Sequence, residues 1–175
     1  MKIEELDLFG DTPSPVETSP TCAWQWRSWK VEETPPPYGI EISQDPQIKG
    51  PEDVANLFYR YFEGMMHEEI WGIYVNTRNR IHGLQRIGQG SLNQSIIHPR
   101  ETFVPCFQIP GVSGLFLVHN HPSGELAPSP EDKRITSRID KAAGILGFRF
   151  LDHLIIGANQ FYSFVQVHGR LDLDF

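Results

Sequence analysis

The sequence predicts an α/β (α+β) domain in which helices flank one mixed sheet. Segments with helical and with strand periodicity alternate in mixed order from Pro51 onward. Among them, Gly114 to Val118 (GLFLV) form a continuous apolar run, which is typical of a strand buried at the centre of a sheet. The chain has 175 residues, which is long enough for one domain with a core of its own.

The first half of this domain is predicted to be a helix followed by a β-hairpin. Pro51 suits the first position of a helix, and two acidic residues follow it in the first turn. Residues 68–76 (EEIWGIYVN) are predicted to be a strand, residues 77–80 a turn, and residues 81–88 (IHGLQRIG) the partner strand. The apolar residues that recur at helical spacing after Pro51 are Val54, Leu57, Phe58, Tyr61 and Met65.

The second half adds two helices and two strands around the central strand. One short helix is predicted from Pro99 until Pro110 and Gly111 stop it. A longer helix ends at Gly147 as its C-cap. Two strands, residues 150–157 (FLDHLIIG) and 161–167 (FYSFVQV), follow and are joined by a turn. The apolar positions of the longer helix are Ile135, Ile139, Ala142 and Leu146.

Composition divides the chain near Gly50. Residues 1–50 contain seven of the fourteen prolines and nine acidic against four basic side chains. We therefore expect a proline-rich, acidic N-terminal arm over residues 1–50 and a folded domain over residues 51–175. The arm contains Trp24, Trp26 and Trp29. These tryptophans are predicted either to pack on the protein's own domain, which we favour, or to bind a partner.

Composition also disfavours several classes of protein. No apolar run approaches the length of a membrane span, and the N-terminus lacks the pattern of a signal peptide, so a membrane role is not expected. Cys22 and Cys106 match no pairing or metal-binding spacing, which favours the reducing cytoplasm. The net charge is −7 without a basic cluster, which disfavours nucleic acid as a partner. The oligomeric state is not indicated by these features.

One stretch, VHNHPSGELAPSPED, has the pattern of a metal site. His119 and His121 follow the buried apolar run, and residues two apart in a strand point to the same face. Asp132 falls in the first turn of the long helix, where Ser129 suits the N-cap. Two imidazoles and one carboxylate leave the fourth position of a tetrahedral zinc open, as in catalytic rather than structural sites. We therefore expect one Zn²⁺ per chain, in preference to a polar loop without metal.

These residues resemble the JAMM metalloprotease motif in its RadC-like form. The resemblance covers residues 51–168, about two-thirds of the chain. It implies a JAB/MPN-type, cytidine-deaminase-like fold in which His119, His121 and Asp132 bind zinc and Ser129 assists the reaction. Further matching landmarks are His98-Pro99-Arg100-Glu101, Ile135-Thr136, Leu151-Asp152-His153 and Tyr162-Ser163-Phe164.

The resemblance also implies a catalytic glutamate on an early strand, for which there are two adjacent candidates. Glu68 and Glu69 should face opposite sides of the strand. The alignment of Asn76 and Asn79 with the RadC-like strand and turn favours Glu68, whereas the spacing to Gly72 favours Glu69. We choose Glu68 as the general base and keep Glu69 as the alternative.

The remaining histidines and Cys106 are predicted to have structural rather than catalytic roles. His153 is predicted to be buried or to support a ligand, because the ligand set is already complete. Cys106 is predicted to lie in the core. The remaining histidines, predicted to lie on the surface or in turns, are His67, His82, His98 and His168.

The function expected from the motif is that of a zinc peptidase or isopeptidase. Its substrate would be a protein or peptide, with ubiquitin-like proteins as a candidate class that the resemblance implies. One alternative is a DNA-repair-associated factor, which the acidic balance disfavours, as does the lack of a helix-hairpin-helix pattern in residues 1–50. Another is a binding module that keeps the fold without catalysis, which the complete His-His-Asp set disfavours. A nucleobase deaminase is excluded because its Pro-Cys-x-x-Cys motif is missing.

Overall fold

The computed structural model describes Ile40 and residues 46–90, 97–169 and 171. The three tryptophans of the predicted arm and Cys22 lie outside the described residues, so the predictions about them remain predictions. Within the described part, no helix is both long and apolar enough to cross a membrane.

The described residues form a mixed five-stranded sheet flanked by helices, which confirms the predicted fold class. The strand order is β2-β1-β3-β4-β5, so the GLFLV strand is central, as predicted. β3 and β4 are parallel, and the other neighbouring strands are antiparallel. In chain order the elements are α1 (Pro51–Phe62), β1 (Glu69–Val75), β2 (Ile81–Gln89), α2 (Pro99–Gln108), β3 (Gly114–Asn120), α3 (Pro130–Leu146), β4 (Arg149–Gly157), β5 (Gln160–Ser163) and α4 (Phe164–His168).

The sheet has an apolar core on each face. On one face it packs against α1, whose Phe58 contacts the Trp71 ring of β1. On the other face it packs against α2 and α3, through residues such as Phe103 and Ile139. Because strand side chains alternate, β3 contributes to both faces. Its side chains are Leu115, Leu117 and His119 on the α3 face, and Phe116, Val118 and Asn120 on the α1 face.

The chain upstream of Pro51 also contributes to the α1-face core. Ile40 and Ile48 are buried there. Backbone hydrogen bonds of 2.9 Å join the amide of Ile48 to the carbonyl of Asn79, and the amide of Ile81 to the carbonyl of Pro46. The division at residue 50 stays a prediction, but these contacts attach part of the predicted arm to the sheet.

One predicted element is wrong. The segment FYSFVQV was expected to be a single strand, but the strand ends at Ser163 and a short helix begins at Phe164. Ser163 caps this helix by accepting a hydrogen bond from the amide of Gln166 at 3.0 Å. The buried carboxylate of Asp152 accepts hydrogen bonds from the Ser163 hydroxyl and the Val165 amide. A partner in β4 thus turns an apolar, strand-like sequence into a helix start.

Candidate metal centre

Three side chains converge where the central strand ends. His119, His121 and Asp132 each offer one donor atom, and these atoms all lie within 4.8 Å of one another. The Nε2 atoms of the two histidines are 3.0 Å apart. Nε2 of His119 lies 3.2 Å from Oδ1 of Asp132, and Nε2 of His121 lies 3.7 Å from Oδ2. The structure therefore brings together the three residues predicted to bind zinc.

The local sequence explains how the carboxylate reaches this place. Ser129 is the N-cap of α3, as predicted, and Asp132 is the third residue of the helix. The Ser129 amide and hydroxyl both donate to Oδ2 of Asp132 at 2.7 Å, while the Asp132 amide donates to the Ser129 hydroxyl at 3.2 Å. This reciprocal capping box holds the carboxylate beside the strand end.

A chain of hydrogen bonds determines which nitrogen each imidazole presents. The Thr136 hydroxyl donates to the carbonyl of Asp132 at 2.7 Å, so it must accept at its 2.6 Å contact with Nδ1 of His153. Nε2 of His153 then carries no proton and accepts from Nδ1 of His119 at 2.9 Å. Nδ1 of His121 donates to the Glu125 carbonyl at 2.6 Å. Both predicted ligands therefore present an unprotonated Nε2 to the centre, the form that binds a metal.

The site fits a divalent cation. Oδ1 of Asp132 is fully buried and has no hydrogen-bond partner among the described residues, and such an atom is costly unless something compensates it. Burial alone would raise the pKa of Asp132, but its close contacts with the imidazoles of His119 and His121 and its hydrogen bonds from Ser129 hold it far below its ordinary value. The carboxylate is thus ionised. Two nitrogen lone pairs and an ionised oxygen that face one another match the donor set of zinc.

The two candidate glutamates lie in different surroundings. The Glu68 carbonyl accepts a hydrogen bond from the Gly90 amide at 2.9 Å, which extends the β1–β2 ladder by one residue. By alternation, Glu68 shares the face of Ile70, the residue that pairs with His119. Burial lowers the pKa of His121, but the nearby carboxylate of Asp132, the hydrogen bond to the Glu125 carbonyl and the charge of Glu68 raise it overall.

Glu69 belongs to a separate network on the α1 face. Its carboxylate is buried and accepts hydrogen bonds from the hydroxyl of Tyr61 at 2.7 Å and from Nε1 of Trp71 at 3.0 Å. It also forms an ion pair with Arg86 at 2.9 Å and contacts His67 at 3.2 Å. Burial raises the pKa of Glu69, but these partners lower it overall. The carboxylate is therefore ionised and fully engaged away from the His-His-Asp centre.

A cavity of about 320 Å³ adjoins the centre on the α1 side. His121 and Asn120 form part of its wall. The backbones of Gly124 and Gly157 meet beneath it, where a Cβ on Gly157 would lie 2.9 Å from the Gly124 carbonyl oxygen. Its apolar lining includes Tyr59, Phe62, Met65, Met66 and Ile156. The cavity is large enough for a side chain of a bound peptide.

The other single-residue predictions have mixed outcomes. His153 is buried and bonded to His119, as expected of a supporting group. Cys106 lies in the α3-face core, and burial raises the pKa of its thiol to about 12. His168 is exposed, as predicted. His98 is partly exposed, but one of its ring nitrogens is buried without a partner among the described residues.

Sequence reasoning missed two residues of the centre. Thr136 orients His153, and its place one turn after Asp132 in α3 was a usable signal. Asn120, between the two histidines, carries hydrogen bonds to the start of β1. Its position in the motif was visible, but its partners lie about fifty residues away and could not be inferred.

Comparison with known proteins agrees with this geometry. The family model of the RadC-like JAB domain matches residues 48–170 of this sequence. The chain belongs to the RadC-like JAB domain family. The match includes Ile48 and all of the elements described above, so the RadC-like JAB domain begins slightly upstream of the first helix. This places the centre in a JAMM-superfamily domain.

Curated relatives share this RadC-like JAB domain. A UPF0758 protein of Desulforudis audaxviator is 42% identical over 121 residues, which cover 67% of this chain and 51% of the relative. A UPF0758 protein of Geobacter sulfurreducens is 44% identical over 119 residues, covering 68% and 52%. One of Bacillus mycoides is 40% identical over 124 residues, covering 71% and 55%. The matched region thus spans about half the length of these relatives.

Proposed function

We propose that the protein is a zinc-dependent metallopeptidase or isopeptidase of the JAMM type, which hydrolyses a peptide or isopeptide bond. The observation that carries this proposal is the convergence of His119, His121 and Asp132 around a buried carboxylate oxygen without a described partner. Membership in the RadC-like JAB family supports it, because the JAB/MPN superfamily includes hydrolases.

Each residue has a definite part in the proposed reaction. His119, His121 and Asp132 would hold zinc, which when bound would polarise the scissile carbonyl and acidify water. Glu68, on the same face of the sheet, takes the proton of the attacking water and passes it to the leaving amine. Glu69 is not suited to this part, because its carboxylate is bonded to Tyr61 and Trp71 on the other face.

Ser129 is proposed to act in addition to its role as a helix cap. In the structure its hydroxyl donates to Oδ2 of Asp132. To stabilise the negative oxygen of a tetrahedral intermediate, this hydroxyl must rotate away from Asp132 and donate to the substrate. The amide of Ser129 keeps its own hydrogen bond to Asp132 during that rotation, so the carboxylate stays in place.

The substrate is proposed to be a protein or peptide whose scissile bond lies in an extended segment. A neighbouring side chain of the substrate would occupy the cavity beside His121, whose apolar wall favours an apolar residue. Ubiquitin-like proteins joined through a flexible C-terminal tail are the candidate class, as the resemblance to JAMM proteases implies.

The test is mass spectrometry of a panel of ubiquitin-like fusions incubated with the full-length, zinc-loaded protein. We expect cleavage by the wild type, loss of cleavage with a chelator, and recovery on adding zinc. Glu68→Gln should be inactive, whereas Glu101→Gln, an exposed carboxylate on α2, should behave as wild type. Cleavage that persists in the chelator would contradict the proposal.

A DNA-associated role is the second candidate. From Pro51 onward the chain has eleven basic and thirteen acidic side chains, and Arg86 is already paired with Glu69. Duplex binding should therefore be weak at physiological salt. Submicromolar duplex binding at that salt, with no cleavage across the panel, would favour this role instead.

A further inference from the structure

Asn120 separates the two predicted ligands in the chain and points to the opposite face of the sheet. Its side chain is only 3% exposed, and both ends of its amide are bonded. Oδ1 accepts a hydrogen bond from the Glu69 amide at 2.7 Å, and Nδ2 donates to the carbonyl of His67 at 2.8 Å. These partners lie 51 and 53 residues away in sequence.

The two backbone groups that Asn120 binds flank Glu68. A planar amide that holds the carbonyl before Glu68 and the amide after it restricts the backbone of that residue from both sides. The bond from the Gly90 amide to the Glu68 carbonyl restrains it from the neighbouring strand. By strand alternation the Glu68 side chain lies on the face of Ile70, which pairs with His119.

The Glu69 network anchors the same segment to the rest of the domain. Through its carboxylate, Glu69 joins β1 to Tyr61 of α1 and Arg86 of β2. Asn120 joins the same residue to the end of β3, the strand that contains His119 and that His121 directly follows. The start of β1 is therefore held to a helix, to β2 and to the ligand-bearing strand at once.

We propose that Asn120 is a positioning residue that sets where Glu68 stands relative to the metal centre. It does so by linking the backbone on either side of Glu68 to the end of β3, where His119 lies and which His121 directly follows. The ligands themselves do not depend on this link, because β3 holds His119, the bond from the His121 amide to the Ile156 carbonyl holds His121, and the Ser129–Asp132 capping box holds Asp132. The catalytic consequence rests on the proposed function, but the positioning itself does not.

The test compares Asn120→Ser with Asn76→Ser in the full chain. Asn76 is a matched control because it directly follows the other end of β1, where its Oδ1 accepts two backbone hydrogen bonds from the amides of Arg78 and Arg80 at 2.9 and 3.1 Å. Both variants lose local hydrogen bonds. Only Asn120→Ser should accelerate hydrogen exchange at the Glu69 amide.

Measurements of metal binding distinguish a residue that positions the general base from one that supports the metal ligands. Zinc affinity, measured by competition with a chromophoric chelator, should fall by less than about tenfold in Asn120→Ser, the lower limit for removing a direct partner of a ligand. In the cobalt-loaded protein, Asn120→Ser and Glu68→Gln should alter the visible absorption in the same way. Asn76→Ser should have the wild-type spectrum.

Kinetics supplies the catalytic readout. In Asn120→Ser, kcat should fall by about a hundredfold with little change in KM, as a misplacement of about 1 Å can cause. In the Glu68→Gln background the same substitution should have no further effect. A wild-type cobalt spectrum in Asn120→Ser overturns the proposal, and so does a loss of zinc affinity greater than tenfold. If the wild type cleaves no substrate, the proposed function fails, while the exchange and cobalt measurements still decide the role of Asn120.

Discussion

Nδ1 of His119 donates to Nε2 of His153 at 2.9 Å, so one buried histidine sets the tautomer of another. His153 is itself oriented by the Thr136 hydroxyl, which donates in turn to the carbonyl of Asp132. Its ring stacks on Phe164 at 5.2 Å between centroids. Burial lowers the pKa of His153 well below its ordinary value, so the ring stays neutral and can accept. The two predicted ligands on β3 and α3 are thus linked through residues that need not touch a metal.

We therefore expect His153→Phe to weaken zinc binding although His153 is not a ligand. Phenylalanine preserves the stacking on Phe164 but leaves Nδ1 of His119 without an acceptor, and loss of such a partner costs about 10–100-fold in metal affinity. A chelator competition assay measures this change. His168→Phe, at an exposed histidine, is the control. Equal zinc affinity in His153→Phe and the wild type would show that the hydrogen bond is not needed.

The ligand set itself is tested by metal analysis. His119→Ala combined with His121→Ala should abolish binding of the one zinc per chain, because only the Asp132 carboxylate would remain. Cys22→Ser and Cys106→Ser should leave zinc content unchanged, since the Cys106 thiol lies in the core with a pKa of about 12. Full zinc occupancy in the double-histidine variant would show that zinc binds elsewhere.

The two adjacent glutamates should separate catalysis from stability. Glu68→Gln should keep zinc and lose hydrolysis by about two or more orders of magnitude, as expected for a missing general base. Glu69→Gln should instead destabilise the fold by about 1–3 kcal/mol, because a buried charged network loses its acceptor. Kinetics and denaturant unfolding distinguish the two. An inactive Glu69→Gln with an active Glu68→Gln would reverse the assignment.

Zinc affinity should fall with decreasing pH, and the decline should begin above pH 6.5, the ordinary pKa of histidine. Because the pKa of His121 is raised in the metal-free protein, a proton competes with zinc over a range where a solvated histidine would already be neutral. The stability of the metal-free fold depends on pH in the opposite direction. The raised pKa of His121 stabilises the metal-free fold at pH values below the pKa of this histidine in the unfolded chain. This contribution is lost as the pH rises through its pKa in the folded protein. Chelator competition across this range measures the first effect, and a flat affinity would contradict it.

Two truncations should differ in stability. Deletion of residues 1–39 should leave a folded, zinc-loaded domain. Deletion of residues 1–50 also removes Ile40 and Ile48 from the α1-face core, at about 1.5–3 kcal/mol for each buried isoleucine. Thermal unfolding of both proteins measures the difference. Equal melting temperatures would show that the two isoleucines contribute little.

Much of this protein was determined by patterns within short stretches of its sequence. Helical spacing after Pro51, the apolar run before His119 and the cap at Ser129 depend on neighbours within a few residues. The alternation of a strand was enough to place His119 and His121 together, and the cap placed Asp132 in the first turn of α3. The convergence of His119, His121 and Asp132 could therefore be predicted from sequence, and their role as ligands stays a prediction.

Tertiary structure decided what depends on distant partners. The sequence left Glu68 and Glu69 as alternatives, and only the packing of α1 and β2 shows that Glu69 is bonded to Tyr61 and Arg86. The bonds of Asn120 to the start of β1 and of His153 to His119 span 51 and 34 residues. The helix after Ser163 likewise depends on Asp152 in another strand. Local periodicity reports which face a side chain occupies, whereas a hydrogen bond between distant segments exists only once the sheet has brought them together.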